Sequence, residues 1–337
     1  MAITEWKNQT IITEFILLGF ETSPQFQTLL FLVFLSTYII TMAGNTLLVV
    51  LVVSDRHLHK PMYYFLGNLS CLEIFYSSTI LLRMLASLIT GEKRLSVNGC
   101  IAQFYLIASL VTTECCLLSV MSYDRYIAIC KPLNYTVLMQ DGLCCQLASL
   151  SWLSGFLAIA IVIVLIMQIT FCGPSEIDSY FCDFGPLLNL SCSDIILLKI
   201  VAFICSFTFS LIPFLLTLIS YVYIVTTVLK IPSTAGKQKA FSTCSSHLIV
   251  VTLYYGTLIV VYMIPDTPSL NYTNKIFSLF YTVLTPLINP LIYSFRNKEV
   301  KESTQRLFRK CSSLVGTRKS ETNHVFIIKR KNRHVLN

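Results

Sequence analysis

Seven long apolar stretches constrain this chain more than any other feature. They fall at about 26–53, 61–88, 99–130, 143–169, 197–229, 240–263 and 273–295. An α-helix needs ~20 apolar residues to cross the ~30 Å hydrocarbon core of a bilayer, and each stretch meets that length. Lipid offers no partner to backbone amides, so such stretches must become helices. Charged residues make up 12 % of the chain, against ~25 % in average soluble domains. With 55 % hydrophobic residues, a soluble core could not absorb the apolar surface. The expected fold is an all-α membrane protein: residues 1–25 a tail, 26–295 a seven-transmembrane helix bundle.

An odd number of spans puts the termini on opposite sides, and lysine and arginine set the direction. Residues 294–337 hold 12 of the 25 Lys and Arg, whereas residues 1–54 hold only Lys7. With the N-terminus outside, Arg56, Lys60, Arg125, Lys131, Lys230, Lys237 and Lys239 fall on the cytoplasmic side. The outer loop at about 170–196 has Glu176, Asp178, Asp183 and Asp194 and no basic residue; Lys93 and Arg94 are the mild exception. The net charge of +8 is thus a membrane-orientation signal, not a nucleic-acid footprint. Residues 296–311 read as an amphipathic helix on the inner leaflet, with Val300, Thr304, Leu307, Phe308 and Cys311 near helical spacing among basic residues. Residues 312–337 are polar and basic, the composition of a disordered cytoplasmic tail.

Most of the 13 cysteines lie within spans. Cys100, Cys172, Cys182 and Cys192 lie on the oxidising side, where they can pair in three ways. No metal site is expected, since the outer loop lacks histidine. Asn8-Gln-Thr10 is a glycosylation acceptor on the outer tail.

Intramembrane charge is costly and marks function. Glu73 stands mid-span two and Glu114 mid-span three, where a sodium ion or a proton could be shared. Met121-Ser-Tyr-Asp124-Arg125-Tyr126 closes span three on the cytoplasmic side, an adjacent acid–base pair that can be held or released. Span seven ends Pro286-Leu-Ile-Asn289-Pro290-Leu-Ile-Tyr293. A proline there frees a carbonyl, which Asn289 can satisfy unless it reaches span two instead. Span five pairs Pro213 with Tyr221.

Together these strings resemble the rhodopsin-class G-protein-coupled receptors, and within them the olfactory receptors, from about residue 10 to 310. Gly44-Asn45 and Trp152 fit the class. The olfactory strings are Thr13-Glu-Phe-Ile-Leu-Leu-Gly-Phe20, Pro61-Met-Tyr-Tyr-Phe-Leu66, Met121 to Cys130, Lys239-Ala-Phe-Ser-Thr-Cys-Ser-Ser-His247 with Tyr255-Gly256, and Pro286 to Asn297. The chain departs from the pattern in Ser122 for a commoner alanine, Glu73 for aspartate, Leu82 for proline and a longer tail.

The resemblance implies bridges Cys100–Cys182 and Cys172–Cys192, and an ion cavity at Glu73 and Glu114. It implies a G-protein switch of Asp124, Arg125, Tyr126, Tyr221, Asn289, Pro290 and Tyr293. The implied pocket lies in the outer half between spans three, five, six and seven. Helical spacing offers it Ile107, Ala108, Val111, Thr112, Cys205, Ser206, Phe209, Leu258, Ile259, Tyr262 and Thr282, with Tyr255 as the pivot beneath. Such a lining suits a small, mostly hydrophobic odorant. The implied output is a stimulatory olfactory-type heterotrimeric G protein and cyclic AMP at the plasma membrane of sensory cilia. A non-olfactory receptor of the class is the alternative, and a transporter or ion channel a weaker one. No nucleophile–base pair or metal motif suggests an enzyme.

Overall fold

The computed structural model describes residues 12–20, 23–172, 175–263 and 271–309. Seven spans form the bundle: α1 Pro24–Ser54, α2 Pro61–Thr90, α3 Val97–Cys130 and α4 Asp141–Ile166 are continuous. Next, α5 covers Ile196–Lys230 and α6 Thr234–Met263. The last span, α7, runs through Asn271–Leu279, Phe280–Leu284 and Thr285–Arg296. Residues 298–309 add α8. Six of these helices are long and apolar enough to cross a bilayer, and α6 has a shorter apolar stretch, Cys244–Ile259. The expected span ends agree to within a few residues, except that α6 starts six residues before the expected 240.

Local chemistry sets the ends and the irregularities. Pro61 opens α2 at a position where its missing N–H costs nothing. Gly91 closes it at φ 71°, donating its N–H to the Ser87 carbonyl; only glycine adopts that conformation freely. Both α5 and α7 contain a π-helical turn, at Phe207–Leu211 and Phe280–Leu284. Each turn holds the residue four before a proline, Phe209 before Pro213 and Thr282 before Pro286. A proline ring clashes with that carbonyl, and the wider turn relieves the clash.

Burial follows the lipid. Over its apolar window α3 is 61 % buried and α1 only 11 %, so α3 is the central post and α1 a lipid-facing wall. α4 lies close against α3 because Gly155 has no side chain: a Cβ there would come within 2.3 Å of the Thr113 hydroxyl. Trp152 of α4 donates its indole N–H to Asn68 of α2 at 3.1 Å.

The outer face departs from the expected simple tail. Glu14–Leu17 forms β1, between β2 (Arg94–Ser96), antiparallel to it, and β3 (Glu176–Ile177), parallel to it. Phe15 and Leu17 point inward and are buried, Phe15 edge-on to Phe171 at 5.4 Å. The period-two pattern was hidden in a continuous apolar run. Cys100–Cys182 ties this lid to α3, and Cys172–Cys192 closes the outer loop on itself. The first bridge spans 82 residues, worth about 4–5 kcal/mol by the loop-entropy account.

The short helix α8 packs inward: Val300 is fully buried against the bundle and Leu307 packs beside it. Of the apolar residues described on it, Phe308 is the exposed one. Asp55 draws the helix inward, accepting from Ser303 Oγ at 2.6 Å and from Arg306 at 2.7 and 3.0 Å. Cys311 and Asn8 lie outside the described residues.

Candidate functional site

Two constellations occupy the bundle, one in each half. The outer one is a cavity of about 490 Å³. Its walls include Ile107, Ala108, Val111 and Thr112 of α3, Cys205, Ser206 and Phe209 of α5, and Tyr255, Leu258 and Ile259 of α6. One expected wall residue differs. Thr282 faces away, bonded to the Tyr180 hydroxyl at 2.8 Å, because the π turn rotates that stretch; Tyr281 lines the cavity in its place. The Tyr262 side chain lies outside the described residues.

Helical spacing on the expected four spans could not reveal the rest of the enclosure. Ala158, Ile159 and Val162 of α4 form one wall, and Phe181 to Phe184 of the outer loop form the roof. The Cys100–Cys182 bridge places that roof, and Gln103 Oε1 accepts the Cys182 N–H at 3.1 Å. Lys199 and Asp183 supply the charged groups of an otherwise apolar lining.

Beneath the cavity two adjacent tyrosines join α6 to α3. Tyr254 donates to the Val111 carbonyl at 2.8 Å and Tyr255 to the Cys115 carbonyl at 3.0 Å. The Tyr255 ring also lies 5.1 Å from Phe214 of α5. The cavity floor is therefore the hinge contact between three spans.

The inner half is polar and closed. Asn289 donates to Glu73 Oε1 at 2.5 Å, so it reaches span two and does not serve its own backbone. The Pro286 carbonyl, left without its helical partner by Pro290, accepts instead from Asn45 of α1 at 3.2 Å. Glu73 and Glu114 are fully buried, and Glu73 Oε2 and Glu114 Oε1 have no hydrogen-bond partner among the described residues. Two buried carboxyls of this kind could hold a small hard cation or a retained proton.

At the cytoplasmic end Arg125 is held. Its guanidinium donates twice to Asp124 Oδ2, at 3.0 and 2.5 Å, and Tyr135 of the inner loop donates to Asp124 Oδ1 at 2.9 Å. Burial pushes the Tyr135 hydroxyl well above its ordinary pKa, with the Asp124 charge adding to the shift, so it remains a donor. Tyr221 meets His247 Nδ1 at 2.6 Å, joining α5 to α6. Tyr293 is buried with its hydroxyl unpartnered. Tyr126 packs against the cluster of Tyr221, Ile224 and Cys244, and its ring lies 5.8 Å from Tyr223. His247 was quoted only as part of a motif. Its chemistry was legible, since a histidine in an apolar span needs a partner.

Comparison with known proteins agrees with this architecture. The olfactory receptor family matches residues 34–311. The human olfactory receptor 11L1 is 46 % identical over 316 residues, covering 94 % of this chain and 98 % of that receptor. Human olfactory receptor 11A1 is 47 % identical over 307 residues, 91 % of this chain and 97 % of that receptor. Human olfactory receptor 6B3 is 45 % identical over 314 residues, 93 % and 95 % of the two chains.

Proposed function

Because the chain belongs to the olfactory receptor family, G-protein-coupled receptors of the plasma membrane, we propose that it binds a small, mostly hydrophobic volatile ligand in the outer cavity and activates a stimulatory heterotrimeric G protein, raising cyclic AMP. The observation that carries this reading is the apolar cavity of about 490 Å³ seated on Tyr255. A pocket of that size, walled by aliphatic and aromatic side chains with a few hydroxyls, suits a ligand that gains mainly by leaving water.

A ligand shifts the resting and signalling arrangements only through a difference in affinity for them. Contacts at Tyr255 and Leu258 act on α6, whose inner end carries His247. Outward movement of α6 separates His247 from Tyr221, Arg125 leaves Asp124, and a G-protein helix enters the opened cleft. Tyr126, Asn289, Pro290 and Tyr293 rearrange with it. Glu73 and Glu114 share a sodium ion or a proton in the resting arrangement; the unpartnered oxygen of each carboxyl supports this assignment.

The test is cyclic AMP in cells expressing the chain with an olfactory-type stimulatory G protein, under an odorant panel, with surface labelling. A dose-dependent rise is expected in the wild type and none in Val111→Trp, whose indole fills the cavity. A response that survives the filled cavity would overturn the assignment of the ligand to it.

A further inference from the structure

We propose that the outer face carries a second ligand site, separate from the bundle cavity, for an amphiphile with one negative charge on a short apolar tail. A second cavity, of about 300 Å³, lies between the β-lid and the outer ends of α1 and α2. That is the lower end of the range for small-molecule sites, ~300–1,000 Å³. The two cavities share no lining residue, although Tyr180 lines one and the adjacent Phe181 the other.

Its chemistry is polarised. Arg83 of α2 and Lys93, between α2 and β2, both line it. Neither has a carboxylate partner among the described residues. The Lys93 carbonyl accepts the Leu17 N–H at 2.9 Å, which fixes its backbone against the lid. Arg83 donates to the Arg94 carbonyl. A guanidinium has five N–H donors, so others remain for an anion.

The rest of the lining is mostly apolar, with Leu30 and Phe34 of α1 and Met84 and Leu88 of α2 alongside Gln27 and Ser87. The Phe20 and Tyr180 rings stack at 5.4 Å across one end. Tyr180 offers only its ring, because its hydroxyl is engaged by Ser278 and Thr282 at 2.9 and 2.8 Å. Two uncompensated cations facing a greasy wall in a small enclosure select an anion with a tail. A neutral alcohol of the same length leaves both cations without a counter-charge.

A soluble carboxylate and an anionic lipid of the outer leaflet share this chemistry, so the test separates them. The full chain, purified into phosphatidylcholine nanodiscs, is titrated calorimetrically with octanoate and with octanol. Octanoate is expected to bind, and octanol, titrated in Val111→Trp so that the bundle cavity does not take it up, at least about tenfold more weakly. Arg83→Gln with Lys93→Gln should weaken octanoate at least about tenfold. Val111→Trp should leave octanoate affinity unchanged. Lys93→Gln alone, which keeps the Arg83–Arg94 link, should weaken it about threefold and carries the test if the double variant unfolds. If nanodiscs containing phosphatidylglycerol suppress octanoate binding, the lipid is the occupant; if they do not, the soluble anion is. No binding of octanoate in phosphatidylcholine, binding indifferent to Arg83 and Lys93, equal binding of octanol, or loss in Val111→Trp would overturn the proposal.

Discussion

The two halves of the bundle solve different problems with different chemistry. The outer cavity is walled by Ile107, Val111, Phe209, Leu258 and Ile259, side chains that could be exchanged in kind without upsetting the fold. The inner half is a set of named pairs: Asn289 with Glu73, Asn45 with the Pro286 carbonyl, Arg125 with Asp124, Tyr221 with His247. Apolar contact is non-directional and graded by area, so the outer walls tune which ligand fits. A buried hydrogen bond is directional and costly to leave unmade, so the inner pairs hold one of two arrangements. On the proposed reading, recognition is continuous and transmission discrete.

The largest test of that contrast is Arg125→Ala. Surface expression should persist, while the cyclic AMP response to every ligand is lost. A ligand-dependent failure would mean that Arg125 belongs to recognition and would break the comparison. Next in size is Phe209→Ala, which enlarges the cavity. Potency for a small apolar ligand should fall about 10- to 100-fold, or ~1.4–2.7 kcal/mol, less than the ~3–5 kcal/mol of a fully buried Phe→Ala change because Phe209 is only half-buried. Bulkier ligands should lose less or gain, and basal cyclic AMP should not change. Equal losses across ligands of different size would show that Phe209 supports the fold and does not shape the pocket.

A smaller effect, opposite in kind, is expected inside. Tyr221→Phe removes a 2.6 Å hydrogen bond and leaves His247 without it. A lost buried partner costs ~1–3 kcal/mol, so the resting arrangement should weaken and basal cyclic AMP rise by up to about tenfold. Ligand rank order should not change. A reordering of ligands by this variant would show the halves to be one unit. A fall in basal signalling would show that the Tyr221 hydroxyl is needed more by the active arrangement than by the resting one.

The same contrast explains what could be read from the sequence. The spans were legible because lipid demands long apolar helices, and the ends followed from prolines and charges. The polar switch was legible because Glu73, Asp124, Arg125 and Asn289 are conspicuous in apolar surroundings. The bundle pocket was legible only on the helices whose spacing was considered; the α4 wall and the loop roof depend on the Cys100–Cys182 bridge, a tertiary constraint. Thr282 was misplaced because a π turn changes the helical phase, and no residue type announces that turn except the proline that follows it. Strand β1 was missed because Phe15 and Leu17 alternate with Ile16, an apolar neighbour that conceals the period. Asn45 was noticed as a motif member, but its partner lies 241 residues away.

The smallest effect should come from Asp55, which lies in neither constellation yet anchors α8 beneath both. Ser303, then Arg306 and His57, hold its carboxyl well below the usual carboxylate range, against the opposing pull of burial. A depressed value contributes stability above the unfolded value of 3.8, lost only as pH falls through the folded one. Docking of α8 should therefore be constant from about pH 5 to about pH 8. Asp55→Asn keeps the shape but removes the charge that Arg306 meets. A fluorophore on α8 at Gln305 should then report greater mobility, with maximal cyclic AMP lowered about twofold, as suits a partly exposed ion pair. Both basal level and ligand order should stay as they are. A pH-dependent mobility in the wild type within that range would show that a group other than Asp55 controls the anchor, and would make it a proton-sensitive part of transmission. An unchanged mobility in Asp55→Asn would leave Val300 and Leu307, apolar and non-directional, as what holds α8. The inner end would then share the outer cavity's kind of chemistry.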